Sequence, residues 1–282
     1  MTSLRAAARA AAALLITVPS YLAALAGGLL LSPWPRARSR WHGRVFRSWS
    51  RALCRVLGVR VRATGPAPRP PFVLVSNHVS YLDILVLGTR LPCVFVAKAE
   101  IDSWPLFGAI CRSVNTIFID RRAKRELHRV LARIEETLAA HQGVVIFPEG
   151  TSSAGHELLP FRSPLLELPA KLGRAVHWAG ISYRVPEGAP PVHLAVTWWA
   201  DMPFGPHLWQ LLHLPSIEAR VTFGAEPVAS RDRKQLAGDL FRAIAGVFEP
   251  MADPAEIRRL LALRESDPGS VPAILRPARG PR

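Results

Sequence analysis

The chain has 282 residues, 49% of them hydrophobic, with a formal net charge of +15 and three cysteines. Cys54, Cys93 and Cys111 are odd in number and scattered, which excludes a disulfide framework and a paired-cysteine metal site and fits an enzyme facing a reducing cytosol. The first 82 residues hold twelve Arg and no Asp or Glu, leaving +3 (15 − 12) for the other 200, so the basic block has one end of the chain to itself. Such a block serves nucleic acid or an anionic membrane surface, and the apolar residues running through it here select the membrane. The length is enough for one catalytic domain with a membrane appendage.

Residues 10–31 carry no charge. As a helix they would rise about 33 Å, close to the hydrocarbon thickness of a bilayer. Pro19 would kink that helix. Arg5 and Arg9 ahead of an apolar run also suit a signal peptide, but the run is long for one and Ser32-Pro33-Trp34-Pro35 makes a poor cleavage site, so retention is expected. Next, Trp41, Val45, Trp49, Leu53 and Val56 fall on one helical arc while Arg44, Arg47, Arg51 and Arg55 fall opposite. That pattern suits a helix lying in a lipid interface, or one that packs on the catalytic domain and solvates its Arg face.

Residues 63–71, ATGPAPRPP, read as a linker between a membrane-associated segment, 1–62, and a catalytic domain, 72–250. Within that domain FVLVS (72–76), PCVFVA (92–97), TIFID (116–120), VVIF, AVHWAGIS (175–182), VHLAVTWW (192–199) and ARVTF (219–223) read as strands. Helical patterns near 81–89, at 122–140 and near 231–248 alternate with them. The expected fold is therefore α/β, a mixed central sheet flanked by helices, behind an N-terminal membrane-anchoring helical segment. Residues 251–282 read as a helix and then a tail disordered over about its last fifteen residues, for its Pro, Gly and Arg content.

Three strand ends carry candidate chemistry. FVLVS opens through Asn77 onto His78 and, five positions later, Asp83. An Asp bonded to one imidazole nitrogen fixes the tautomer and leaves the other nitrogen to take a proton from a hydroxyl. Ser80 and Asp83 also make a capping box, in which Ser80 would cap the helix, so the pair alone is ambiguous. FPEGT at 147–151 follows a second strand, its Pro148 and Gly150 forcing a turn where Glu149 and Thr151 emerge. NTIFIDR at 115–121 ends a third strand on Asp120 and Arg121, a guanidinium able to grip a phosphate or carboxylate.

Together these segments resemble the glycerolipid acyltransferase family, which includes 1-acyl-glycerol-3-phosphate acyltransferase, over about residues 72–183. The resemblance implies that His78 is the general base for an acceptor hydroxyl and Asp83 its orienting partner. It further implies that Phe118 to Arg121 and the FPEGT residues Glu149, Gly150 and Thr151 bind the acceptor, chiefly its phosphate, with Lys98 nearby. Arg162 in FRSPLL stands where the family has Lys. The family's members acting on lysophosphatidate commonly carry Arg directly after FPEGT, where this chain has Ser152 and Ser153, and a Pro of the family's fourth motif is missing from WAGISY. The expected reaction is acyl transfer from acyl-CoA or acyl carrier protein, as co-substrate, to a lysolipid hydroxyl. The first expectation for the acceptor is 1-acyl-glycerol-3-phosphate, giving phosphatidic acid; the alternative is a lyso-ornithine lipid. Neither a cofactor nor a metal is expected, and the implied location is a bacterial inner membrane with the catalytic domain on its cytoplasmic face.

Two other classes compete. A lipid hydrolase working through serine would need an activated Ser, yet the chain has no G-x-S-x-G elbow. A non-catalytic membrane-binding protein would explain the Arg-rich helix but leave the three strand-end motifs without a purpose.

Overall fold

The computed structural model describes residues 2–104, 107–120 and 125–276. Strands β1 (Val59–Thr64), β2 (Val73–Ser76), β3 (Cys93–Lys98), β4 (Ile117–Ile119), β5 (Gly143–Ile146), β6 (His177–Arg184) and β7 (Ile217–Phe223) form a single sheet in the order β1-β7-β6-β2-β5-β3-β4. All neighbours are parallel except β6 and β7. This is the mixed α/β sheet that the alternation of apolar runs and helical patterns predicts.

The helices are α1 (Thr2–Leu30), α2 (Pro35–Leu57), α3 (Leu82–Gly88), α4 (Phe107–Ser113), α5 (Glu126–Ala139), α6 (Glu167–Lys171), α7 (Val192–Ala195), α8 (Phe204–His213), α9 (Arg233–Ala245) and α10 (Pro254–Ser266). Successive strand residues point to opposite faces, and both faces are covered. Leu74, Phe95, Val145 and Ile181 pack with α2, α3 and α8, whereas Val73, Val75, Val94, Val144 and Ile146 pack with α5, α6 and α9. Burial on both faces is why these strands read as continuous apolar runs rather than as alternations.

Three expectations are corrected. The Pro-rich segment 63–71 connects two strands of the same sheet, because β1 lies at its edge, paired along its length with β7. As an edge strand β1 buries Val59 and exposes Arg60 and Arg62, an alternation too short to stand out from the helical pattern before it. VHLAVTWW is not a strand: Pro191 starts the short helix α7, and the groups a strand would give to a ladder go elsewhere, the Val196 carbonyl to Ser80 Oγ and the Trp198 N–H to the Val79 carbonyl. The segment expected to be disordered packs as far as residue 276, with Val271, Ile274 and Leu275 buried against Ala154, Trp199, Met202 and Ile257.

The N-terminal helices form a hairpin seated on the domain. Ala6, Ala10, Ala13 and Ile16 of α1 join the main core, and Arg9 donates to the carbonyls of Leu212, Leu214 and Pro215 at 3.1, 2.6 and 3.2 Å, with Arg5 on that of His213. These guanidiniums satisfy the open carbonyls at the end of α8. The two Trp residues of α2 turn toward α1: Trp41 Nε1 donates to the Ala23 carbonyl at 2.8 Å and Trp49 Nε1 to Thr17 Oγ1 at 3.0 Å. A Cβ on Gly27 would lie 2.0 Å from the Trp41 indole nitrogen, so glycine is what lets the helices approach. The apolar arc of α2 is thus largely covered by its neighbour in sequence, and the exposed apolar stripe belongs to α1: Leu14, Leu15, Val18, Leu22, Leu25 and Leu29. That helix, continuous through Pro19, is long and apolar enough to cross a membrane.

Candidate active site

The site forms where β2, β5 and β3 end side by side, at the carboxyl edge where open α/β sheets place their ligands. Beyond the end of β2, Asn77 continues the ladder with its side chain. Its Oδ1 accepts the Ile181 N–H at 2.7 Å and its Nδ2 donates to the Ile181 carbonyl at 2.9 Å. This amide fixes the residue before His78 to β6.

His78 is then held by four contacts. Its N–H donates to Glu149 Oε1 at 2.6 Å, and its carbonyl accepts the Ser153 N–H at 3.0 Å. Its Nδ1 lies 2.7 Å from Asp83 Oδ2, and the imidazole stacks on the Phe147 ring with centroids 4.2 Å apart and planes 17° from parallel. A carboxylate accepts but does not donate, so Nδ1 carries the proton and Nε2 keeps its lone pair. The imidazole is 20% exposed, whereas the Asp83 side chain is 0% exposed.

The first turn of α3 explains how the buried Asp83 side chain finds its partners there. Oδ2 accepts the Val79 and Ser80 N–H groups at 2.8 and 3.0 Å, and Oδ1 accepts the Tyr183 hydroxyl at 2.7 Å. The carboxylate thus reaches back over the turn before its own helix, and the Ser80 hydroxyl, expected as the cap, accepts the Leu82 N–H at 3.3 Å while donating to the Val196 carbonyl at 2.6 Å. A buried carboxylate is tolerated when donors surround it.

The FPEGT turn is a clamp. Gly150 has φ +76°, a left-handed conformation that glycine takes without a Cβ penalty, and its N–H closes the turn onto the Phe147 carbonyl at 3.2 Å. Glu149 is 3% exposed, and its second oxygen accepts the Leu159 N–H at 3.0 Å. Burial pushes its carboxyl up to about 8, with the Asp83 charge adding to the rise and the two backbone N–H groups opposing it. Both oxygens of Glu149 thus hold chain segments together. Thr151 is exposed, and the Arg162 side chain is exposed beside the turn, its backbone N–H bonded to the Pro148 carbonyl at 2.9 Å. Lys98 is exposed at the end of β3, in register with Ile119 and so next to Asp120. Arg121 lies outside the described residues.

The fold therefore gathers His78, Asp83, Glu149, Gly150, Thr151 and Arg162 around two adjacent strand ends, with Lys98 on the next strand. Sequence reasoning missed the roles of Asn77, Phe147 and Tyr183. A polar residue closing an apolar strand was the available signal for Asn77; nothing local marks Tyr183 as a partner of Asp83. Ser152, directly after Thr151, donates its hydroxyl to the Trp198 carbonyl, and Trp198 packs with Tyr81, Trp104 and Phe204 into an aromatic wall beside the loop.

The family model described as Acyltransferase matches residues 58–182, a span that contains all three motifs. The chain is 34% identical over 259 residues to the lyso-ornithine lipid O-acyltransferase of Pseudomonas aeruginosa, covering 87% of this chain and 97% of that one. It is 31% identical over 211 residues to the 1-acyl-sn-glycerol-3-phosphate acyltransferase of Neisseria meningitidis serogroup B, covering 73% and 80%. In fold it is similar to the crystal structure of the 1-acyl-sn-glycerophosphate acyltransferase from Thermotoga maritima, with a TM-score of 0.52 at 21% identity over 85% of this chain and 97% of that one. A near full-length relative and a motif-bearing family match on the same sheet lead to one conclusion: the chain belongs to the acyltransferase family and is an acyltransferase.

Proposed function

We propose that the chain moves a fatty acyl group from a thioester donor to the hydroxyl of a lysolipid, with His78 as general base. The observation that carries this reading is the 2.7 Å contact between His78 Nδ1 and Asp83 Oδ2, which leaves Nε2 as the free basic nitrogen. Nε2 removes the proton as the acceptor oxygen attacks the thioester carbon. The tetrahedral oxyanion collapses, an ester C–O bond replaces the C–S bond, and the proton passes from His78 to the departing thiolate. General-base help of this kind is worth roughly 10²–10⁴-fold, with positioning of the two substrates supplying more. Coenzyme A or acyl carrier protein carries the acyl group as co-substrate, and no further cofactor enters the scheme.

Membrane attachment is supported by the exposed stripe on α1, and it suits the substrate, because a lysolipid tail drawn wholly into water would lose its hydrophobic stabilisation. We place the enzyme at the cytoplasmic face of a bacterial inner membrane, with the exposed arginines of α2 beside anionic headgroups.

Two acceptors have separate support. A lyso-ornithine lipid is favoured by the relative matched over nearly its whole length and by Ser152, which puts a tethered hydroxyl rather than a cation after Thr151. Lysophosphatidate is favoured by Lys98 and Arg162, two exposed cations near the strand ends. Mass spectrometry of lipids made by membranes containing the full chain, given each lysolipid with palmitoyl-coenzyme A or palmitoyl-acyl carrier protein, separates them. Acylation of one acceptor that disappears in His78→Ala is expected. No acylated acceptor, or an unchanged rate in His78→Ala, sinks the proposal.

A further inference from the structure

We infer that Tyr183 is a positioning residue of the catalytic relay, its hydroxyl setting how firmly and how strongly Asp83 holds His78; this rests on His78 being the general base. Tyr183 lies on β6, is 1% exposed and could serve the core equally well as Phe. A buried hydroxyl costs free energy unless bonded, and this one is bonded to Asp83 Oδ1 at 2.7 Å. The two carboxylate oxygens are used unequally. Oδ2 takes His78 Nδ1 and the Val79 and Ser80 N–H groups, whereas Tyr183 makes the only hydrogen bond to Oδ1 among the described residues.

Two consequences follow from that division. With both oxygens anchored, the carboxylate cannot turn about its Cβ–Cγ bond, so Oδ2 stays on the imidazole. The phenol also draws negative charge toward Oδ1, which moderates the basicity that Asp83 presents to His78. Its own position is fixed through the site, because Ile181, two residues back on the same strand, is clamped by Asn77, the residue before His78. Burial, and then the Asp83 charge, keep the Tyr183 hydroxyl protonated far above neutral pH, so it donates throughout the working range.

The other ionisable groups facing this relay are few. Glu149 reaches it through the His78 N–H, and Cys54 of α2, its thiol pushed up to about 12 by burial, stands near Tyr183. Arg184, the next residue on β6, is exposed and paired with Glu249 at 2.9 Å.

The sign of the effect can be worked out. Without the phenol's donor, Asp83 is a stronger acceptor and stabilises the imidazolium more, so protonation of His78 reaches to higher pH. The acid limb of kcat/KM against pH in Tyr183→Phe should move up, by about half a pH unit, with kcat roughly tenfold lower from the loosened carboxylate. The test uses full-length chain in vesicles, palmitoyl-coenzyme A, and whichever of lyso-ornithine lipid or lysophosphatidate is acylated. A second variant with 3-fluorotyrosine at 183, a stronger donor of nearly the same shape, should move the limb down. Opposite shifts in the two variants establish the role. A limb that stays put, or moves the same way in both, while His78→Ala is inactive, overturns the role of Tyr183 alone; a fully active His78→Ala overturns the general-base reading beneath it.

Discussion

The loop from Asn77 to Asp83 and the hairpin of α1 and α2 apply one solvation rule in opposite directions. In the loop, Asn77, Ser80 and Asp83 are removed from water, and the hydrogen bonds described above compensate their polar groups. On the hairpin, apolar side chains face outward, Leu15 at 75% and Leu29 at 77% exposure, and none of the described residues covers them. Buried polar groups with full partners mark a site held rigid, and an uncovered apolar stripe marks a surface meant for a different medium. The first region is costly to alter for chemistry, the second for location.

That contrast can be broken in three places. The largest effect is expected at Asp83→Asn, which keeps the shape but removes the charge that fixes the His78 tautomer. Steady-state acylation should fall by about 10³–10⁴-fold, as when a catalytic His loses its orienting carboxylate, while pelleting with membranes is unchanged. Retention of more than a tenth of the rate would show that the pair is a helix cap and little else.

The converse experiment is Leu15→Ser with Leu22→Ser. Each buried Leu contributes about 1.5–3 kcal/mol on leaving water, so the double variant should partition into anionic vesicles about 10²–10⁴-fold less well. Its thermal midpoint in detergent should stay close to that of the parent, since both side chains are more than half exposed. A large loss of stability instead would mean that the stripe belongs to the protein's own packing.

The smallest effect concerns Glu149. Its folded value of about 8 lies above the ordinary 4.5, so between those limits the folded state binds the extra proton. Its contribution to stability is present below the unfolded value and is lost as pH rises through about 8. Chemical denaturation from pH 5 to 8 should therefore show a component that declines by no more than about 1.4 kcal/mol per pH unit, and Glu149→Gln should flatten it. An identical slope in the variant would locate the linkage elsewhere.

Much of this was written locally. The strands β2, β3 and β5 are apolar runs that can only be buried, and the five-residue step from His78 to Asp83 turns on one strand end and one helical turn. Where contact depends on residues far apart in the chain, the sequence was silent or misleading. VRVRAT reads as divided between the membrane-associated segment and the linker because so short an alternation does not stand out from the helical pattern before it, and its identity as a strand comes from β7, more than 150 residues away. VHLAVTWW has strand-forming residues, but its backbone groups are claimed by the loop from Asn77 to Asp83. Trp41 and Trp49 looked ready for lipid, yet the nearest apolar partner was the preceding helix.

The sequence by itself determined the reaction class, through motifs that resemble one family's, and where the proposed base His78 and its partner Asp83 fall, because hydrophobic period, turn chemistry and motif spacing act over a few residues. Only the tertiary structure decided how Asp83 is kept in place, by assigning its two oxygens to groups from the loop, the helix start and a strand 100 residues on. It also decided that Glu149 is a clamp and that α1, not α2, carries the exposed apolar stripe. Hydrogen-bond saturation and burial are properties of what surrounds a side chain, and those surroundings are assembled only when distant segments meet.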